Sequence, residues 1–115
     1  MADEELLRLF ASSACEPEPD EVLVRTGFAN LWRGPEAVGG HLYLTSSRLV
    51  FRSHAVNIQT GMWIWPLASV TSLEPVNSLR VIPNGLELAL SDGDRVRLVV
   101  NRRGAWIDAI QRART

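Results

Sequence analysis

The side chains of this chain that could do chemistry are two histidines, His41 and His54, a single cysteine and a number of scattered serines. Nucleophilic catalysis requires a serine or cysteine beside a histidine that a third group orients, and these residues do not form that pattern. The sequence also lacks the motifs of a nucleophile elbow, a zinc protease, a dinucleotide fold and a phosphate-binding loop. We therefore predict a protein that is not an enzyme, with no catalytic residue and no cofactor.

Metal binding is the second chemistry that the histidines could support. No cysteine or carboxylate stands near them at ligand spacing, and Arg52 would repel a cation. Cys15 cannot form an internal disulfide, and it lies among acidic residues, which raise the pKa of a thiol rather than lower it. The sequence therefore predicts neither a metal site nor a reactive cysteine.

The histidines lie in the stretch 39–54, which consists of two alternating apolar and polar runs that meet at a Ser-Ser pair. This pattern predicts a β-hairpin, because successive side chains of a strand point to opposite faces. The predicted inward pairs are Leu42 with Phe51 and Leu44 with Leu49.

The other face of this hairpin is cationic and partly aromatic, which a one-sided core does not require. It could be a solvated face, or it could bind an anion or a lipid headgroup through arginine and histidine. The predicted anion or lipid face consists of the hairpin residues His41, Tyr43, Arg48, Arg52 and His54, with Arg33 from the loop before the hairpin.

A second candidate surface follows from the next apolar run, in which Trp63 and Trp65 share one face of a strand while Met62 and Ile64 share the other. Both faces of such a strand must be covered, because a large exposed apolar patch is uncommon on a monomer. The cover is the N-terminal helix, a second copy of the protein or another partner. The predicted interface consists of Met62, Trp63, Ile64, Trp65, Leu6 and Phe10.

Three kinds of element would position these residues. A short amphipathic helix over residues 3–12, capped by Asp3, must dock to persist. Trp106, Ile107 and Ile110 recur at helical spacing near the C-terminus, with Asn101 as a cap upstream. Besides the hairpin, strands are expected at 21–32, 58–67, 68–76, 86–90 and 95–100. The first of them should contain a bulge near Gly27 and Asn30. Turns are expected at Pro83-Asn84-Gly85 and Asp92-Gly93.

This order of elements predicts a mainly β protein with a C-terminal helix. We expect a two-sheet antiparallel sandwich or open barrel of about seven strands, capped by that helix, with a short N-terminal helix in addition. At 115 residues the chain has room for one such domain, over 22–115, preceded by an acidic helix and linker over 1–21.

Charge is distributed unevenly along the chain. Residues 1–21 hold seven acidic residues against Arg8 alone, whereas the remainder holds eleven arginines against six acidic residues. No apolar run approaches the roughly 20 residues of a membrane helix, and the acidic start is unlike a signal peptide. We expect a cytoplasmic protein that does not bind nucleic acid, since its basic surface lacks a cluster of stacking aromatic residues.

The sequence resembles GRAM domains, especially bacterial ones with a pleckstrin-homology-like (PH-like) fold, over residues 22–113. The most specific match is Leu-Thr-x-x-Arg-Leu-Val-Phe at 44–51, within Gly-Gly-x-Leu-Tyr-Leu-Thr-Ser-Ser-Arg-Leu-Val-Phe at 39–51. Trp-Pro-Leu at 65–67, Asn-Gly-Leu-Glu-Leu at 84–88, an Asp-Gly turn and a terminal Trp-Ile helix follow in the same order. The resemblance implies a seven-stranded β-structure that binds lipid headgroups or proteins and does no chemistry.

The first function that we predict is a protein-interaction or scaffold module, including self-association through the tryptophan strand and the N-terminal helix. The alternative is peripheral binding of anionic phospholipid at the inner face of the membrane, screened by the acidic arm. Inositol lipids are less favoured, because PH-like domains that hold them use several basic residues between the first two strands. Here that loop has only Arg33, beside Glu36.

Overall fold

A computed structural model describes residues 4–10, 16–54, 61–78 and 82–115 of the chain. In chain order its elements are α1 (Glu4–Phe10), β1 (Leu23–Arg33), β2 (Glu36–Thr45), β3 (Arg48–Ser53), β4 (Met62–Pro66), a 3-10 turn (Leu67–Ser69), β5 (Val70–Ser78), β6 (Ile82–Leu90), β7 (Arg95–Val100) and α2 (Arg103–Arg114).

The seven strands form one antiparallel sheet in the order β4-β3-β2-β1-β7-β6-β5. The sheet curls into a half-barrel, so β4 and β5 are its two edges. The predicted fold class is confirmed in its open-barrel form: seven antiparallel strands, a C-terminal helix and a short N-terminal helix.

The predicted hairpin is formed by β2 and β3, and its register is as expected, with Leu42 opposite Phe51 and Leu44 opposite Leu49. All four side chains are completely buried. Gly40 is required in this hairpin, because a Cβ atom there would collide with the backbone carbonyl of Arg52 on the neighbouring strand.

The main core lies inside the curl of the sheet, and α2 closes it. Trp106 and Ile110 are buried there with the inward leucines of β2, β3, β6 and β7. The indole of Trp106 lies over Gly27, where a Cβ would be only 3.3 Å from the ring. Two arginines attach the ends of α2 to β5, since Arg103 donates to the carbonyl of Val76 and Arg114 donates to the carbonyl of Val70.

A second, smaller core lies on the outer face of the sheet, beneath α1. Leu6, Leu9 and Phe10 of α1 are buried against Val50 of β3. Partly buried side chains pack around them from the neighbouring strands, namely Leu23, Tyr43, Met62 and Ile64. The cover over the outer face of β4, which the sequence left open among three alternatives, is therefore the chain's own N-terminal helix.

Two local predictions are wrong. Pro83-Asn84-Gly85 forms no turn but lies inside β6, where Gly85 pairs with Val76 and a Cβ would meet the Val76 carbonyl oxygen at 2.8 Å. Asn101 is not the cap of α2, because Arg102 occupies that position with φ of 55°.

The strands differ from expectation in their irregularities and ends. The register shift in β1 falls between Leu23 and Arg25 rather than near Gly27. The β4 strand begins at Met62, and the part of its predicted range before residue 61 lies outside the described residues, as does Cys15. The Asp92-Gly93 turn is confirmed, with Gly93 at a φ of 93°.

Replacing Leu6 with alanine tests the packing of α1 on the sheet. Leu6 is fully buried and Leu7 beside it is 52% exposed, so the two leucines form a matched pair on one helix. We expect Leu6→Ala to lower the free energy of unfolding by about 2 kcal/mol, because it leaves a cavity over Val50. Leu7→Ala should change it by less than about 0.5 kcal/mol in the same denaturant titration. Equal effects of the two substitutions would contradict the docked position of α1.

Candidate functional site

The residues predicted to form one anion or lipid face lie in three different environments. Arg48 is the first case, because its guanidinium is already paired. Its Nη2 lies 2.7 Å from Glu21 Oε1 and its Nε donates to Glu21 Oε2 at 2.9 Å. The ring of Phe10 stacks against the same guanidinium at 4.4 Å. Arg48 therefore anchors the segment before β1 to the hairpin and is not part of an open anion surface.

Glu21 is the buried partner of this ion pair, and its side chain is inaccessible to solvent. Burial alone would raise the pKa of Glu21, but hydrogen bonds from Arg48, Thr45 and the Glu18 backbone outweigh it and lower the pKa to about 2. Thr45 donates its hydroxyl proton to Glu21 Oε2 at 2.5 Å. The carboxylate is thus held ionised and fully hydrogen-bonded at every physiological pH.

Arg33 is the second case, since it lies at the other end of β1, away from the histidines. Its guanidinium stacks over the ring of Trp63 at 5.3 Å. Both side chains line a cleft of about 500 Å³ between the β1–β2 turn and the β6–β7 turn. Glu36 and Asp94 also line this cleft, so its charge is mixed and it does not form the basic pocket that an inositol phosphate requires.

The third environment holds the remaining predicted residues and a residue that sequence reasoning missed. Phe28 of β1 is 65% exposed, and its ring meets the ring of His41 edge to face at 4.9 Å. His54 lies 6.1 Å from Phe28, and Tyr43 lies 5.1 Å from His41. We call Phe28, His41, Tyr43 and His54 the aromatic face.

The pairing of β1 with β2 brings Phe28 into this face, because it places Phe28 opposite His41. A signal for it was present in the sequence, since Phe28 alternates with the inward residues Ala29 and Leu31. The bulge that was expected near Gly27 made that alternation uncertain.

Protonation of His41, at the centre of the aromatic face, is disfavoured. Partial burial lowers the pKa of His41 below its ordinary range, and the charge of nearby His54 lowers it further. At neutral pH the ring of His41 is therefore uncharged and packs as an aromatic side chain. Positive charge beside the face comes instead from Arg52, which lies directly across from His41 in β3.

A narrow groove borders the aromatic face where α1 lies on the sheet. Its walls are Arg8 and Leu9 of α1, Tyr43 of β2 and Arg52 of β3, and it encloses about 190 Å³. We call it the helix–sheet groove. Arg8 was not among the predicted site residues, because only the docking of α1 brings it beside the hairpin.

The predicted interface residues mostly contact one another within the chain. Leu6 and Phe10 are buried against the outer face of the sheet, beside Met62 and Ile64. Trp65 belongs to the main core, and Trp63 is half-buried with its ring 5.8 Å from that of Phe51. Leu6 and Phe10 are inaccessible to a second molecule while α1 lies on the sheet, whereas Met62, Trp63 and Ile64 stay partly exposed on the edge strand β4.

Two arginines of β7, Arg95 and Arg97, are neutralised locally. Glu87 of β6 accepts hydrogen bonds from Arg95 at 2.8 Å and from Arg97 at 3.0 Å. These two bonds lower the pKa of Glu87 below its ordinary range.

Within the described ranges, no cluster of three or more histidine, cysteine or acidic residues is placed to hold a metal ion. In that same part of the chain, no helix has the length and apolar character that a membrane crossing requires.

A curled seven-stranded sheet closed by a C-terminal helix defines a PH-like domain. The chain belongs to the GRAM domain family, whose pattern matches residues 9–103 and so includes part of the acidic arm. GRAM and PH-like domains are protein- or lipid-binding modules. The predicted family is thereby confirmed, and the bacterial origin stays a prediction.

Solved structures with the same fold are distant in sequence. The C-terminal domain of an unknown protein from Leishmania infantum has a TM-score of 0.74 at 15% identity, covering 96% of this chain and 92% of that one. The N-terminal PH domain of Vps36 has a TM-score of 0.64 at 19% identity, covering 90% and 87%. The Slm1 PH domain has a TM-score of 0.62 at 11% identity, covering 81% and 98%. A comparison with curated protein sequences gave no match.

Replacing Glu21 with glutamine tests the buried ion pair. The substitution leaves the Arg48 guanidinium without a counter-charge in a nearly dry site, which is costly. We expect Glu21→Gln to lower the free energy of unfolding by about 3 kcal/mol in denaturant titrations. The matched control is Glu16→Gln, an exposed acid of the same segment, which should change it by less than about 0.5 kcal/mol.

The same carboxylate predicts how stability depends on pH. Its pKa is lower in the folded state than its ordinary 4.5, so the stabilisation is complete above about pH 4.5 and is lost as the pH falls toward about 2. The loss attributable to Glu21 is on the order of 3 kcal/mol. Unfolding titrations at several pH values in this window should show a steeper decline for the native chain than for Glu21→Gln. Parallel declines would contradict the assignment to Glu21.

Proposed function

We propose that the chain is a non-enzymatic GRAM module that binds a protein partner, and that the aromatic face is its binding surface. The observation that carries this proposal is the exposure of Phe28, which is 65% accessible on the outside of a regular strand. A phenylalanine there contributes little to the fold. Exposed aromatic side chains are typical of protein-binding surfaces, where they act as anchors.

The surroundings of Phe28 support this reading. Phe28 is held edge to face by His41, and a shallow pocket of about 190 Å³ lies beside it, lined by Asn30, His54 and Asn101 among others. A rigid aromatic anchor with polar groups at its border loses little conformational freedom when it binds. Arg52 next to the face adds a positive charge at the rim, where charge governs orientation and association rate.

Self-association through β4 and α1, which the sequence suggested, requires α1 to leave the sheet if it is to use the buried Leu6 and Phe10. The edge strand β4 is accessible without that change, but it offers only partly buried apolar side chains. The aromatic face is accessible without any rearrangement, so partner binding at that face is favoured over exchange of α1 between two copies. The partner can be a second copy of this chain or another protein, and measurement of the oligomeric state distinguishes them.

Peripheral binding to an anionic membrane surface is the second candidate. The observation that favours it is the combination of exposed Phe28 and partly buried Tyr43 with Arg52, since aromatic and basic side chains together suit the headgroup region. Within the acidic arm, Glu21 neutralises Arg48 rather than Arg52, so this carboxylate does not screen Arg52.

Replacing Phe28 with alanine tests the proposed binding surface. We expect Phe28→Ala to leave the free energy of unfolding within about 0.5 kcal/mol of the native value, because the ring is largely exposed. The same substitution should weaken partner binding by roughly tenfold or more, as loss of an aromatic anchor does. Binding is measured as the amount of each protein that the immobilised chain retains from an extract of its host, together with the molar mass from light scattering.

The matched control is Val24→Ala, another exposed apolar residue of β1, which should retain the same proteins as the native chain. Retention of an identical set of proteins by the native chain and both variants would contradict binding through Phe28.

Sedimentation with vesicles of phosphatidylcholine and phosphatidylserine tests the second candidate, membrane binding. Salt-sensitive binding to those vesicles that Phe28→Ala abolishes, without retention of any protein, would replace protein binding by membrane binding.

A further inference from the structure

The helix–sheet groove brings together two guanidinium groups that belong to different elements. Arg8 belongs to α1 and Arg52 to β3, yet both line the same space of about 190 Å³. Within the described residues, neither guanidinium takes part in a hydrogen bond or an ion pair, whereas Arg48, Arg95 and Arg97 each have a carboxylate partner. Both arginines are exposed. Two like charges beside one helix–sheet contact weakly oppose docking of the helix, and an anion bound between them would remove that opposition.

The remaining walls suggest the kind of anion that fits. Tyr43, which carries a phenol hydroxyl, lines the groove on the sheet side, and the apolar Leu9 lines it on the helix side. The guanidinium group of an arginine can donate two parallel hydrogen bonds to the oxygen atoms of a phosphate. A hydroxyl donor adds a further hydrogen bond from another direction. The volume of about 190 Å³ is below the roughly 300 to 1,000 Å³ of pockets that hold drug-sized ligands, so the size of the groove suits one small headgroup.

We propose that the helix–sheet groove binds a phosphate monoester, which joins α1 to the sheet through Arg8 and Arg52. A phosphate monoester carries a charge between about −1.5 and −2 at neutral pH and so matches two guanidiniums, whereas a diester carries only one negative charge. The site does not include Phe28. It shares Tyr43 with the aromatic face and Arg52 with its rim, so the two proposals are distinguished by substitution of Phe28.

The groove lies at the contact between α1 and the sheet, so binding there is coupled to docking of the helix. The ligand contacts Arg8 only when α1 lies on the sheet. By mass action, a ligand that binds the docked state alone increases the population of that state. Occupancy of the groove therefore stabilises the cover over Val50, Met62 and Ile64.

The test uses the full chain with two probes that carry the same monoester group, glycerol 3-phosphate in solution and phosphatidic acid in phosphatidylcholine vesicles. Calorimetry and vesicle sedimentation measure the two affinities, and amide hydrogen exchange follows α1. Arg8→Gln and Arg52→Gln should each weaken binding by roughly tenfold. The control Arg112→Gln removes the same charge from an exposed position on α2 and should change binding less than twofold. The ligand should slow amide exchange in α1 in the native chain and in the control only.

The two probes distinguish the source of the ligand. Equal affinity for glycerol 3-phosphate and for the vesicles identifies a soluble phosphate compound, and a marked preference for the vesicles identifies a lipid headgroup. Either result supports the site if Arg8 and Arg52 are both required. Equal weakening by all three arginine substitutions, binding of dimethyl phosphate as tight as that of the monoester, or no binding of either probe would each overturn the proposal. Phe28→Ala should leave this affinity unchanged, so failure here is distinguishable from failure of the proposed protein binding.

Discussion

The burial of both faces of β3 is the constraint on which the rest of the structure depends. Phe51 points into the curl of the sheet and Val50 points outward, and neither side chain is accessible to solvent. Because successive residues of a strand alternate between faces, a sheet with two such neighbours must be covered on both sides. The curl and α2 cover the inner side, and α1 covers the outer side. A helix of seven residues is too short to persist alone, so α1 exists through this contact.

The ion pair of Glu21 and Arg48 follows from the same constraint. The chain must pass from α1 on the outer face to the start of β1, and this pair together with Thr45 fastens that passage to the β2–β3 hairpin. It also determines where binding can occur. Arg48 and the apolar side chains of β4 pack within the fold, whereas the aromatic face and the groove beside it remain accessible on the outer surface. The binding surfaces that we propose therefore lie next to α1 rather than at the mixed-charge cleft.

Most of the fold could be predicted from the sequence, because it depends on local patterns that the structure keeps. Alternation in the hairpin gave the register of Leu42 with Phe51, the Asp92-Gly93 pair gave a turn, and the spacing of Trp106 and Ile110 gave the closing helix. Less of the candidate site could be predicted, since it combines residues from α1, β1, β2 and β3. Whether Arg48 is available to a ligand depends on its ion pair with Glu21, a carboxylate 27 positions earlier in the chain. No short-range sequence pattern connects these two residues.

By itself the sequence determined the period of each apolar run, and hence which residues face inward, because that property depends on neighbours along one strand or helix. It also determined the basic and aromatic character of the hairpin's outer face. Only the tertiary structure decided which of those charges remain available, since pairing of Arg48 with Glu21, burial of Val50 by α1 and exposure of Phe28 beside His41 are contacts between separate elements. The physical reason is that burial and ion pairing are properties of what packs on a face, and packing is set by the arrangement of elements rather than by local spacing.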